Sequence, residues 1–259
     1  MANKFSLRGK TIFISGSAGG IGKAIARGLA ESGAELVLAD RRESPLHSME
    51  EEISKGGTRV LPVGLDITVI NSIRNAVKAA VKEFGKIDVL INCAGVNVRR
   101  HFLEVEEKDY DLVMNVNAKG LYFLSQEVCK LMAQRNKGKV INIASFVSFI
   151  ALSTVSAYAA SKGAVAQITK AMAVDLARYN IQINAIAPAF IKTPFNRLIW
   201  SDKEKYDWVV ERTLFRRFGL PEDLIGTTQF LSSEASDFIT GQVIIVDGGF
   251  MAGTDTLFG

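Results

Sequence analysis

The sequence predicts an open α/β fold, a doubly wound parallel sheet of about seven strands with helices on both faces. Three observations carry it. Short apolar, β-branched runs recur along the chain, helical patterns alternate with them, and a glycine-rich turn joins the first run to the first helix. Thr11–Ser15 reads as the first strand and Gly20–Ser32 as the helix after it. Glu35–Asp40 and Arg59–Pro62 give strands two and three, followed by a helical pattern over Thr68–Phe84. Val89–Asn92 is the fourth strand, and Lys108–Arg135 forms a long helical stretch. Lys139–Ile143 reads as a buried strand that leads to the Ala-rich helix Ala157–Tyr179, and Gln182–Ile186 is the sixth strand. Residues 190–218 differ, because aromatics and charges crowd there without a strand period; an insertion closing over a site, a lid, is expected. Pro221 suits the first turn of a helix over Pro221–Leu231, and Val243–Val246 ends the sheet. At 259 residues the chain suffices for one domain, 1–259, with a sizeable core.

Composition excludes several function classes. The formal charge is +4, yet no Lys/Arg run exceeds two, so no nucleic-acid partner is expected. Cys93 and Cys129 lie in apolar segments without a secretory leader, which fits a reduced cytoplasm. No window approaches eighteen uninterrupted apolar residues, so no membrane insertion is expected. With His47 and His101 as the two histidines and no Cys/His ligand spacing, no metal site is expected either.

Chemistry concentrates in a few motifs. Gly16-Ser17-Ala18-Gly19-Gly20-Ile21-Gly22 sits between strand and helix, where glycines let the backbone approach a pyrophosphate and the helix N-terminus favours its charge. A dinucleotide is the expected occupant. Asp40 ends the second strand about 20 residues later, where a carboxylate can accept both adenosine ribose hydroxyls. That favours NAD. NADP stays possible, because Arg41 and Arg42 could compensate the like charge of a 2′-phosphate. Tyr158 and Lys162 are four residues apart on one helix face. A phenol near pKa ~10 becomes a proton carrier at neutral pH if a neighbouring ammonium favours the phenolate by ~4 kcal/mol. Ser145 ends a strand, the place where open α/β sheets carry their sites.

Together these residues resemble the short-chain dehydrogenase/reductase family over nearly the whole chain. Gly16-x-x-x-Gly20-x-Gly22 is similar to the family's cofactor turn, Asn92-Cys93-Ala94-Gly95 to its Asn-Asn-Ala-Gly strand end, and Asn117, Ser145, Tyr158 and Lys162 to its catalytic tetrad. Asn184 to Ala189 resembles the Pro-Gly loop, and Val246-Asp247-Gly248-Gly249 the last strand. Cys93 and Ala189 depart from the pattern, standing where the family has Asn and Gly.

The resemblance implies a Rossmann-type fold and an NAD(P)-dependent oxidoreductase that interconverts a secondary alcohol and a ketone on a small molecule. It makes Tyr158 the general acid/base, Ser145 the partner of the substrate oxygen, Lys162 the ribose ligand, and Asn117 a helix interruption that completes a proton relay. It gives Asp66 to the adenine, with Ile67 beside it, although Asp66 before Thr68 also reads as a helix cap. It places Asn92, Ala94 and Gly95 along the cofactor, with Pro188, Ile191 and Thr193 over the nicotinamide side. It also implies a homotetramer, for which the Lys108–Arg135 and Ala157–Tyr179 helices offer apolar faces.

Residues 95–104 and 207–224 resemble the family's sugar-acid members, the gluconate 5-dehydrogenases and 2-deoxy-gluconate dehydrogenases. Arg99, Arg100 or Arg212 would then bind a substrate carboxylate, or else sit in surface ion pairs. The alternatives are a ketose or polyol dehydrogenase, a 3-oxoacyl-carrier-protein reductase, and a non-catalytic dinucleotide sensor or scaffold.

Overall fold

Alternation within the strands sets the two faces of the sheet. Ile12 and Ile14 of β1 (Thr11–Ser15) join Leu36 and Leu38 of β2 (Glu35–Asp40) in one core, while Phe13, Val37 and Ala39 enter another on the opposite face. The computed structural model describes residues 3–253; residues 1–2 and 254–259 of the expected 1–259 domain lie outside the described residues. The remaining strands are β3 (Val60–Gly64), β4 (Val89–Asn92), β5 (Gly138–Ile143), β6 (Ile181–Pro188) and β7 (Val243–Val246). All pair in parallel, in the order β3-β2-β1-β4-β5-β6-β7.

Helices α1 (Gly20–Glu31), α2 (Glu43–Ser54), α3 (Ile70–Phe84), α4 (Glu107–Met114), α5 (Leu121–Gln134), α6 (Ser156–Leu176), α7 (Arg197–Trp200), α8 (Lys203–Arg212) and α9 (Ile225–Ser232) complete the chain. Leu29 of α1, Met49 of α2 and Leu231 of α9 pack on one face of the sheet; Val77 of α3, Val128 of α5 and Ala173 of α6 pack on the other. None of the helices in the described residues is long and apolar enough to cross a membrane.

Three expectations need correction. Helix α2 was not anticipated: its Leu46, Met49 and Ile53 recur at helical spacing, but Pro45 obscures the pattern unless it is recognised as lying in the first turn, where proline is tolerated. The third strand runs from Val60 to Gly64, later than Arg59–Pro62, because β3 is an edge strand that accommodates Pro62 in its interior. The 108–135 stretch is two helices, α4 and α5, joined by a π-helical turn over Asn115–Gly120.

Two features place the site. The sheet order reverses between β1 and β4, whose ends pair at Ser15 and Asn92, and the crevice beyond such a reversal is where open α/β sheets hold ligands. The 190–218 excursion leaves the end of β6 and is closed at its base: Gly219 N donates to Phe190 O at 3.0 Å, and Lys192 N to Gly219 O at 2.8 Å. Close to its C-terminal end, Phe215 N donates to Gly248 O at 3.1 Å.

Candidate active site

The crevice opens into a cavity of about 750 Å³ running from the glycine turn to Tyr158 and Lys162. Gly16 adopts φ +71°, and a Cβ on it would lie 2.6 Å from the Ala94 backbone, so a side chain there would collide with the end of β4. A Cβ on Gly22 would overlap the Gly16 carbonyl oxygen, which is how α1 packs so tightly against the turn. Gly16, Gly19, Gly20, Ile21 and Gly22 all line the cavity. Ser17 does not. Its hydroxyl is buried and donates to Ala39 O at 3.3 Å, fastening the turn to β2.

Asp40 is held in place by its own neighbourhood. Its Oδ2 accepts from Ala18 N at 3.2 Å and its Oδ1 from Arg42 N at 3.0 Å, with Arg42 Nε at 3.4 Å. Arg41 is exposed, lines the cavity, and is paired with no carboxylate among the described residues. Asp66 lines the cavity while also forming a local cap: its Oδ1 accepts from Thr68 N at 2.9 Å and Thr68 Oγ1 at 2.6 Å. Those bonds, with help from Arg41, hold its carboxyl below the usual range. Ile67, Ala94, Gly95, Pro188, Ile191 and Thr193 border the same space.

Asn92 departs from expectation. Its side chain turns away from the cavity into the core, donating to Ser125 Oγ and Asn142 Oδ1 at 2.8 Å each. Asn142 continues the chain to Thr169 Oγ1 at 2.9 Å, so β4, β5, α5 and α6 share one buried polar seam. Strand alternation is the reason: Asn92 follows Leu90 onto the α5 side, and Cys93 faces the cavity in its place. Burial pushes the Cys93 thiol up to about 12, so it is a neutral wall group.

The four tetrad residues gather at the ends of β4 and β5. Asn117 lies in the π-helical turn, wholly buried; its Oδ1 accepts from Val96 N at 2.8 Å, and its Nδ2 donates to Val96 O and Ser161 Oγ at 2.9 Å each. It therefore clamps the segment after β4 onto α6. Lys162 Nζ donates to Ile143 O at 2.7 Å and lies 5.6 Å from the centre of the Tyr158 ring. A Cβ on Gly95 would sit 3.5 Å from Asn117 Oδ1 and 3.8 Å from Lys162 Nζ, which puts these three residues at one point. Burial pulls the Lys162 ammonium down to about 8.

Tyr158 packs against an apolar cluster that includes Phe146, Val147 and Phe190. Burial pushes its phenol up to about 12, against the opposing pull of a hydrogen bond with Ser145 and the charge of Arg99. The expectation that Lys162 lowers this phenol is not met, because desolvation dominates and the ammonium points at the Ile143 carbonyl.

The three candidate arginines separate clearly. Arg100 Nε donates to Asp109 Oδ2 at 2.6 Å and its Nη2 lies 3.6 Å from Glu106, outside the cavity lining. Arg212, also outside it, lies over the Trp208 ring at 4.3 Å. Arg99 lines the cavity, has no hydrogen bond or ion pair among the described residues, and acts electrostatically on Tyr158. Asn97, Phe195, Asn196 and Ile199 also line the cavity and were not singled out from sequence. Asn97 belongs to the 95–104 stretch that resembles the sugar-acid members, whereas the other three belong to an excursion whose pattern carries no positional signal.

A family model described as "Enoyl-(Acyl carrier protein) reductase" matches residues 16–251. The chain is 41% identical over 251 residues to the 5-keto-D-gluconate 5-reductase of Escherichia coli K12, covering 97% of this chain and 99% of that one. The chain belongs to the short-chain dehydrogenase/reductase family. It is also 41% identical to the 2-dehydro-3-deoxy-D-gluconate 5-dehydrogenase of the same bacterium, covering 96% of this chain and 98% of the relative. A crystal structure of a gluconate 5-dehydrogenase from Burkholderia cenocepacia, in complex with NADP and tartrate, superposes with a TM-score of 0.94 at 38% identity, covering 97% and 98% of the two chains. As a family member this protein is an NAD(P)-dependent oxidoreductase acting on a CH–OH group.

Proposed function

We propose that the protein interconverts a secondary alcohol and a ketone on a sugar acid, with Arg99 holding the substrate carboxylate. The observation that carries this reading is the state of Arg99: a cation lining the cavity, felt by Tyr158, with no carboxylate of the protein opposite it among the described residues. An anionic substrate completes that pair. The sugar-acid relatives support the same reading.

The glycine turn, Asp40, Asp66 and Lys162 would hold the cofactor. A bound nicotinamide dinucleotide supplies the two-electron donor or acceptor. Ser145 donates a hydrogen bond to the substrate oxygen and fixes it beside Tyr158. In the reducing direction Tyr158 gives up its proton to that oxygen, and in the oxidising direction it takes one. Burial pushes this phenol up to about 12, so at neutral pH it carries the proton that reduction would use. Asn117 holds the π-helical turn against Val96 and Ser161, and by the family resemblance it would complete a proton relay from Lys162.

NAD is the preferred cofactor in this proposal, because the Asp40 carboxylate is locked toward the turn by Ala18 N and Arg42 N and would repel a 2′-phosphate. NADP is the second reading, favoured by Arg41, which lines the cavity and forms no ion pair among the described residues. We propose further that residues 190–218 act as a lid on one domain, and that the free thiols Cys93 and Cys129 suit the cytoplasm. The protein works as a homotetramer in this reading; Tyr122 and Val174, exposed beside the groove between α5 and α6, supply apolar surface for a second copy.

Arg99→Gln tests the central claim. It should raise KM for the acid by about tenfold to a hundredfold, the loss of a charge-assisted hydrogen bond, and leave KM for the matching neutral polyol within about twofold. Equal losses for both would refute the carboxylate assignment.

A further inference from the structure

The chain that leaves β4 passes the cavity as a short span held at both ends. At one end Val96 N donates to Asn117 Oδ1 at 2.8 Å, and Asn117 Nδ2 donates to Val96 O at 2.9 Å. At the other, Arg100 N donates to Thr154 O at 3.0 Å and Arg100 Nε donates to Asp109 Oδ2 at 2.6 Å. Arg99 stands beside the second anchor, and its guanidinium has no hydrogen bond or ion pair among the described residues. Where that charge sits is therefore set by the backbone of its neighbour.

Thr154 makes this anchor in a strained conformation. Its φ is +67°, in the left-handed region, where the other non-glycine residues among those described are Asn136, Asn180 and Arg216. Asparagine tolerates that region, whereas a branched Cβ crowds the backbone. The threonine side chain offers no compensation, being exposed and without a hydrogen bond among the described residues. What the conformation achieves is the aim of its carbonyl. Val155, the next residue, is buried, lines the cavity, and accepts from Ala159 N at 2.8 Å, which starts the helix that carries Tyr158. One strained residue thus joins the span bearing Arg99 to the helix bearing Tyr158, the kind of place where surrounding contacts keep strain in being.

We propose that Thr154 is a positioning residue for Arg99: its left-handed backbone turns the carbonyl onto Arg100 N, pins the span there, and holds the guanidinium over the cavity facing Tyr158. This rests on the reading of Arg99 as the carboxylate ligand and adds how that arginine is held.

Thr154→Pro fixes φ at about −65° and turns the carbonyl away, removing an amide that donates to nothing among the described residues. Thr154→Gly keeps the left-handed turn. The proline variant should raise KM for the acid by about tenfold and leave KM for the neutral polyol and the cofactor dissociation constant within about twofold; the glycine variant should match wild type in all three. Combined with Arg99→Gln, Thr154→Pro should add less than about twofold, because the group it positions is already gone. Hydrogen exchange of the Arg100 amide reads the anchor without substrate: protected in wild type and in the glycine variant, and at least about tenfold faster in the proline variant. If the proline variant does not fold, Arg100→Ala frees the same span at Asp109 and should give a severalfold loss that is again selective for the acid and absent once Arg99 is glutamine. Should Arg99→Gln weaken acid and polyol alike, the carboxylate reading falls, while non-additivity measured on the polyol still decides the anchor. Additive losses, a glycine variant as impaired as the proline one, a proline variant equal to wild type, or a wild-type Arg100 amide that exchanges like an open loop overturns the proposal.

Discussion

Lys162→Met should make the protein more stable while removing its activity. Lys162 is 4% exposed, its ammonium has one hydrogen bond, to Ile143 O, and no carboxylate is paired with it among the described residues. Burial lowers it from 10.5 to about 8, which corresponds to roughly 3 kcal/mol spent on keeping it charged in the fold. A methionine of similar length removes that cost and leaves the Ile143 carbonyl without its donor, worth about 1 kcal/mol. The variant should therefore be about 2 kcal/mol more stable at pH 7. A base whose folded pKa lies below its unfolded value binds fewer protons when folded, so its contribution to stability rises with pH between about 8 and 10.5. Between pH 7 and 9.5 the wild type should regain roughly 2 kcal/mol relative to the variant, closing the gap. Urea unfolding of both proteins without cofactor, at the two pH values and one protein concentration, measures this. A variant less stable than wild type at pH 7, or a gap that does not move with pH, would show that the ammonium is not the strained group described here. Turnover should be lost in either case, the expected exchange of stability for function.

Three further outcomes follow from the site. Tyr158→Phe should cut turnover by more than tenfold and change cofactor affinity by less than about twofold, since only the proton-carrying hydroxyl goes; stopped-flow absorbance and cofactor titration read the two separately. Asp40→Ala should narrow the preference for NAD over NADP, as measured by titrating both, because it removes the ribose acceptor together with the repulsion; a wild type that favours NADP would mean that Arg41 governs the pocket. Sedimentation at micromolar concentration should find four chains, and a stable monomer would require the α5 and α6 surface to be tolerated in water.

The glycine turn, the acid ending β2, and the Tyr158–Lys162 pair were legible because each is local. Gly16 must take φ +71°, Asp40 ends a strand at fixed spacing, and Tyr158 and Lys162 share a helix face whatever the rest of the chain does. Period-two and helical patterns likewise gave the parallel sheet, because burial on one face leaves its mark on every second or fourth residue. What escaped was set by packing across the chain. The inward turn of Asn92 depends on Ser125 and Asn142, 33 and 50 residues away. Which of three arginines faces the cavity was instead a matter of side-chain direction that spacing leaves open: Arg100 turns to Asp109 and Glu106, Arg212 to Trp208 one turn away, and an arginine that finds such a partner is lost to the site. The rise of the Tyr158 phenol, opposite in sign to what a neighbouring lysine alone would cause, came from Phe146, Val147 and Phe190 converging from β5 and β6. Sequence determined the chemistry that this chain carries, because the reactive groups and the turn are fixed by residue type and short spacing. Tertiary structure decided the dielectric, the pairing of charges and the apolar wall around them, because those depend on which distant segments exclude water from the same place.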